Sequence, residues 1–438
     1  MQMLDTVKNA WKVADLRKKI LFTLFIVFIF RVGSVIPAPF IDFATLQTAN
    51  SGSNASDFFS YYSVLSGGGL EYGAIFAMGV TPYINSSIIM QLLCVAIPPL
   101  ERISQDGEEG RKKIAQYTRY CTVILGLIQA IAYFFYLKSP SAKNGGDFLT
   151  SFVSGGFSTW FAGIVIVATL TAGSALVMWL GEQIDKNGIG NGISILLFAG
   201  IISRFPTAVA TLALWWKDNE FGKIVGIVVL FVVIIGFIVW MTDAERRIPI
   251  QYAKKVVGRK MYGGQSNHIP IKVNMSGVMP IIFASSILML PTMILSFMGT
   301  SRSDKWIYKV LTMFSSRGLG YAVIYFVLII CFAYFYVTIQ YNPVEMANNL
   351  RKSSGAIPGI RPGKPTAEFI KKILSRITLL GAILLSVIAL LPIFMALANN
   401  NAISIGGTSI LIVVGVALDT VKNLESQMMM RHYKGFLD

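Results

Sequence analysis

The sequence predicts an all-α, polytopic membrane protein of ten transmembrane helices with one additional re-entrant half-helix. Three observations carry that prediction. Of the 438 residues, 54% are hydrophobic and only 14% are charged, with a mean hydropathy of +0.62; soluble chains carry about 25% charged residues. Apolar windows near the length needed to cross a bilayer, about 20 residues each, recur along the chain. The basic residues fall on one side of those windows.

Residues 1–19 hold Lys8, Lys12, Arg17, Lys18 and Lys19, with Val7, Ala10, Trp11 and Ala14 at helical spacing. This reads as an amphipathic helix at the cytoplasmic interface. A secretory signal peptide also has a basic start before an apolar core. Here the apolar run at 20–36 is long, ends in Pro37-Ala38-Pro39 and precedes many more spans, so an uncleaved first helix is expected. The spans fall at about 20–37, 74–97, 115–137, 157–179, 192–212, 222–242, 275–297, 319–341, 373–396 and 403–422. Gly, Ser or Pro interrupt the fifth and the tenth.

One stretch does not fit a simple span. Asp57 suits a helix N-cap, and Phe58, Phe59, Tyr61, Tyr62, Val64 and Leu65 follow before Gly67, Gly68 and Gly69 break the run. The segment is too short to cross, so it reads as a half-helix at membrane depth, joined by glycines to the second span. Irregular backbone at that depth is tolerated only where protein or a water-filled cavity surrounds it. A pore or transport pathway follows.

With the N-terminus placed in the cytoplasm, 28 of the 38 Lys and Arg residues lie in cytoplasmic segments and 9 in outer ones, Arg31 being inside the first span. That asymmetry fits an even number of spans with both ends inside. It also explains the net charge of +16 without nucleic acid. Two cytoplasmic loops, 243–272 and 342–372, are long and basic. In the first, Ile248, Ile250, Tyr252, Val256 and Val257 sit among Arg246, Arg247, Lys254, Lys255, Arg259 and Lys260. Gly263-Gly264 then turns the chain towards His268-Ile269-Pro270, the pattern of a β-hairpin. Attraction to anionic lipid accounts for part of this charge; a docking surface for a cytosolic partner accounts for its alternation with apolar residues.

The residues inside the spans exclude other chemistries. Cys94, Cys121 and Cys331 lie in apolar runs and His268 and His432 in polar segments, so no metal-ligand spacing arises and no cofactor is expected. There is no G-x-x-x-x-G-K-[ST] sequence to bind a nucleotide, and no zinc or paired-carboxylate motif to support an intramembrane enzyme. A coupled transporter of small solutes would place ionisable groups at mid-depth. The second span instead carries Thr81, Asn85, Ser86, Ser87 and Gln91, and Asn274 and Ser276 open the seventh. These serve either as hydrogen-bonding glue between helices or as a seam that parts to admit a guest.

Seven stretches, in one order, resemble the SecY family, the central subunit of the bacterial protein-translocation channel. They are RVGSVIPAPFID (31–42), FAMGVTPYINSSIIMQLL (76–93), GNGISILLFAGI (190–201), ERRIPIQYAKK (245–255), NMSGVMPIIFASSI (274–287), IPGIRPGKPT (357–366) and GGTSILIVVGVALD (406–419). The resemblance implies two pseudo-symmetric five-helix halves, 20–212 and 213–422, with a cytoplasmic tail at 423–438 and no enzymatic activity.

It further implies a constriction ring of Ile84, Ile88, Ile193, Leu197, Ile282 and Ile412, with Leu197 where the family usually has isoleucine. A narrow aliphatic ring excludes water and ions by dewetting, yet yields to a passing chain. The segment at about 57–70 becomes the plug, including Gly67, Gly68 and Gly69, and Gln91 and Asn274 mark the lateral gate. Arg246, Arg247, Lys254, Lys255 and Arg361 become partner contacts. The implied partners are SecE-like and SecG-like membrane subunits, the SecA motor, the ribosome, signal sequences, unfolded polypeptide substrates and membrane lipids. The implied location is the bacterial cytoplasmic membrane.

Overall fold

The computed structural model describes residues 10–42, 66–138, 156–217, 221–252, 255–257, 260–262, 266–298, 319–398 and 407–434. The chain divides into two compact units: Met1–Phe221 with Met289–Ser315 and Val416–Asp438, and Gly222–Leu288 with Ser316–Gly415. Among the described residues, five helices are long and apolar enough to span a membrane.

The first unit opens with α1 (Ala14–Gly33), whose Asp15 and Arg31 lie at the ends favoured by the helix dipole. Of the stripe that the spacing suggests, Ala10 packs against protein and Val7 lies outside the described residues. Ala10 and Leu16 are buried against Ile189 and Leu424, with Val13, Ile20 and Met428 beside them. Trp11 remains exposed. The start of the chain is therefore fastened to protein along one edge: Lys19 Nζ donates to Gln427 Oε1 at 3.4 Å, and Thr23 Oγ1 accepts from the Ile189 amide at 3.3 Å.

After α1 the backbone turns and pairs with a later turn segment through an isolated bridge between Pro37 and Ala74. The Ala38 amide donates to Gly73 O at 2.8 Å, that of Ile75 to Ile36 O at 3.0 Å, and that of Phe76 to Gly33 O at 3.2 Å. The second span was expected to begin near residue 74. Its helix, α2 (Thr81–Ala96), starts seven residues later, with Pro82 in the first turn, where its missing N–H costs nothing. Residues 66–80 form turns instead, because Gly67, Gly68, Gly73 and Gly79 all adopt positive φ, which no helix accommodates. At its other end α2 stops before Pro98-Pro99 and bends by 107° into α3 (Pro98–Gln105).

Two long helices follow, α4 (Gly107–Lys138) and α5 (Gly156–Asn187). Arg119 and Glu182 join them in a two-pronged ion pair at 2.6 and 2.7 Å. The predicted fifth span is broken in two, α6 (Gly192–Ile202) and α7 (Phe205–Lys217), by a turn at Ser203 and Arg204. Asn191 caps α6 by accepting from the Ser194 amide at 3.1 Å, and Asp185 Oδ1 accepts from the Gly192 amide at 2.7 Å. Pro206 falls in the first turn of α7, a position that tolerates it while breaking any continuous ladder.

The second unit begins with α8 (Phe221–Asp243), which leads into β1 (Glu245–Tyr252). β1 pairs antiparallel with β4 (Ser266–Lys272), so the hairpin expected from the alternating pattern is present. Gly263-Gly264, where the sequence suggested the turn, lie outside the described residues. β2 (Lys255–Val257) and β3 (Lys260–Tyr262) pair antiparallel, with Val257 opposite Lys260.

A third strand, β5 (Gly355–Ala356), comes from the other basic loop and pairs with Gln251 and Tyr252 on the free edge of β1. Pro249 in β1 is tolerated because β5 does not extend to it. The helices α9 (Met279–Met298), α10 (Leu319–Gln340), α11 (Pro343–Lys352), α12 (Lys364–Ala398) and α13 (Gly407–Lys434) complete the chain. Ile248, Ile250 and Ile271 bury one face of the sheet against Val337, Leu350, Ile370 and Leu374. Their spacing of two residues is the pleat period.

Candidate channel elements and the glycine segment

The expected ring residues occupy helical positions within their separate units. In the first, Ile84 and Ile88 on α2 and Leu197 on α6 are buried, and Ile193 on α6 is half-buried. Each pair is spaced i, i+4 and so shares a helix face. In the second, Ile282 on α9 is half-buried and Ile412 on α13 is buried. Val278, just before α9, lies directly against Gly415 on α13, where a larger residue would push the two helices apart.

The polar residues of the second span divide by role. Ser86 Oγ donates to Thr118 O on α4 at 2.7 Å, so it is glue between helices. Gln91 donates within its own helix to Ser87 Oγ at 3.3 Å. Thr81 Oγ1, Asn85 Oδ1 and Asn274 Oδ1 are buried without a hydrogen-bond partner among the described residues. Each such orphan costs about 1–3 kcal/mol.

Of the plug residues, Phe58, Phe59, Tyr61, Tyr62, Val64 and Leu65 lie outside the described residues. The glycines that follow are well placed. Gly67 has φ +67°, and a Cβ there would sit 3.0 Å from Gly200 Cα, so only glycine fits both the conformation and the space.

Around this glycine lies a set of contacts that sequence reasoning did not find. Arg31 Nη1, from the last turn of α1, donates to Gly67 O at 2.7 Å and to Ser203 Oγ at 3.1 Å. Ser203 Oγ in turn donates to Gly200 O at 2.7 Å. Arg204 is ion-paired with Glu71, and Tyr133 on α4 donates to Leu70 O at 3.2 Å. A hydrogen bond from a charged donor contributes about 1.5–3 kcal/mol, enough to offset a large part of placing Arg31 within an apolar helix. The available signal was Arg31 itself: a lone ionisable residue in a span marks a site by default. Ser203 and Arg204 gave none, since a break in a weak span looks like its boundary.

On the second unit, Arg246 and Arg247 are exposed on β1, and Arg247 pairs with Glu245 on the same strand at 2.7 Å. Arg361 is exposed between Gly359 and Gly363, both at positive φ. Thr366 Oγ1 donates to Arg361 O at 2.9 Å and fixes the turn. Lys255 begins β2, and Lys254 lies outside the described residues.

A family model described as SecY matches residues 74–421. The chain is 43% identical to a protein translocase subunit SecY of Streptomyces scabiei, over 99% of this chain and 100% of that one. It is 42% identical to the protein translocase subunit SecY of Mycobacterium bovis, again over 99% of this chain and all of the relative. The chain belongs to the SecY family. It is thus a multi-pass membrane protein of a translocase family, a channel subunit rather than an enzyme.

Solved structures agree on the SecY/Sec61 fold. A protein-conducting channel matches with a TM-score of 0.64, at 16% identity over 94% of this chain and 92% of that one. A SecY whose plug domain is described as stabilising the closed state matches at 0.66, with the same identity and coverage. Canine Sec61 from a ribosome–channel complex matches at 0.62, again at 16% identity over 94% and 92% of the two chains.

Proposed function

We propose that this chain is the central pore-forming subunit of a protein-conducting channel in the bacterial cytoplasmic membrane. It moves unfolded secretory polypeptides across the membrane and releases membrane proteins sideways into lipid. The observation that carries the reading is 43% identity to a translocase subunit across 99% of the chain. Ten spans in two five-helix halves surround the pore, and the segment at about 57–70 serves as plug.

Ile84, Ile88, Ile193, Leu197, Ile282 and Ile412 form the constriction. Gln91 and Asn274 flank a lateral gate, and the unsatisfied oxygens of Asn85 and Asn274 support that reading, since a parting seam supplies them with new donors. Exposed Arg246, Arg247 and Arg361, with Lys254 and Lys255, receive SecA or the ribosome. The resemblance to Sec61 of a ribosome–channel complex favours that class of partner. SecE-like and SecG-like subunits complete the assembly.

Widening the ring tests this function. In cells depleted of their own translocase subunit, the parent chain should restore export of a protein with a normal signal sequence. Ile84→Gly combined with Ile282→Gly should then leak small ions or export proteins with defective signals. A double variant as tight and selective as the parent would remove these residues from the constriction.

A further inference from the structure

We infer that Arg31 is a positioning residue that latches the glycine segment Ser66–Gly69 to the α6–α7 turn and thereby sets the threshold for channel opening. This rests on the channel reading above and adds to it a named device. Four features support it. The Arg31 guanidinium bonds at once to Gly67 O at 2.7 Å and to Ser203 Oγ at 3.1 Å, so it bridges two segments 136 residues apart. The Ser203 hydroxyl lies 2.7 Å from Gly200 O and 3.4 Å from Gly67 O; donation over the shorter distance to the end of α6 leaves its lone pairs to accept from Arg31. The Arg204–Glu71 ion pair repeats the same link one residue along the turn and four residues along the glycine segment. Finally, Gly67 and Gly68 are both at positive φ, a conformation that many other φ, ψ combinations replace at no cost in glycine. The segment can therefore leave this conformation at little backbone cost, and Arg31, Ser203 and Arg204 are the groups that hold it here.

The backbone ties from Ala38, Ile75 and Phe76 hold the downstream part, residues 73–76, to the end of α1. They do not reach Ser66–Gly69. The glycine segment is joined to that part only by bonds within the turn, the Ala74 amide to Gly69 O at 2.8 Å and the Glu71 amide to Gly68 O at 3.0 Å, so its tie to the α6–α7 turn is the one that Arg31 supplies. Both bonds leave from the single nitrogen Nη1, so the charge and reach of the side chain carry the bridge, and lysine keeps the charge with a different reach.

The test uses the full chain with its membrane partners in cells depleted of their own subunit. Arg31→Gln should raise export of a reporter with a defective signal sequence at least tenfold and raise ion permeability, while export of the normal reporter and the membrane level of the protein stay near parental. Arg31→Lys should fall between the two. Glu71→Gln and Arg204→Gln should each give a smaller rise, and the swap Glu71→Arg with Arg204→Glu should return stringency towards parental. An Arg31→Gln chain that accumulates normally and rejects defective signals like the parent overturns the latch. If Arg31→Gln fails to accumulate, the swap decides: single variants as stringent as the parent overturn it, and looser singles restored by the swap support it. A parent chain that exports no normal reporter overturns the channel reading itself, a result separable from any of these.

Discussion

Gly67 concentrates several demands in one residue. Its φ of +67° and the 3.0 Å approach to Gly200 Cα leave no room for a side chain. A left-handed L-residue costs about 1–2 kcal/mol, before any contact is displaced. Gly67→Ala should therefore lower the thermal transition of the detergent-solubilised protein, whereas Gly222→Ala, with nothing within 4 Å of its Cβ, should leave it unchanged or raised. Differential scanning measurements on the two variants check this; equal transitions would remove the steric argument.

At the same scale, the sequence exposed Arg31 as an anomaly but not its partners. A guanidinium reaching a backbone carbonyl 36 residues away leaves no pattern in residue types, because the acceptor is common to all of them. Ser86 and Asn85, adjacent polar residues of one span, were indistinguishable until geometry gave one a partner on α4 and left the Oδ1 of the other without one among the described residues.

Among the elements, the hairpin was legible because Ile248 and Ile250 alternate with charged and polar neighbours, and pleat alternation survives without knowledge of the tertiary structure. The inner pairing of Val257 with Lys260 was not, because it depends on strand register rather than on residue type. The start of α2 was misplaced for a related reason: hydropathy measures apolarity, and residues 74–80 are apolar yet held in turns by Gly73 and Gly79.

The exposed basic surface of this sheet and its neighbouring loop invites a direct test. Arg246→Glu with Arg361→Glu should weaken co-sedimentation of the purified complex with ribosomes at least tenfold at low salt. The parent's own binding should fall as salt screens the same charges. Unchanged binding at normal protein level would assign these arginines to lipid instead.

For the whole molecule, the charge count makes a prediction that no local geometry replaces. A periplasm-active reporter fused within 298–318 should be active, and one fused within 342–372 inactive, because the latter segment holds the greater share of Lys and Arg. The opposite pattern would invert the topology. Fold class was accessible from composition and charge because a bilayer imposes both on any chain that crosses it. The irregular backbone at the glycine segment was not, because it is specified by a few carbonyls and φ angles rather than by bulk hydrophobicity.

The short ladder between β1 and β5 has a mechanical consequence. Gln251 and Tyr252 pair with Ala356 and Gly355, about a hundred residues along the chain, and the bonds lie across the strands. A load applied along either loop therefore acts on that junction in shear, with both rungs strained together rather than peeled one at a time. The two basic loops respond as one stiff lever with a common root in α8 and α12, and a partner that grips either one pulls on both.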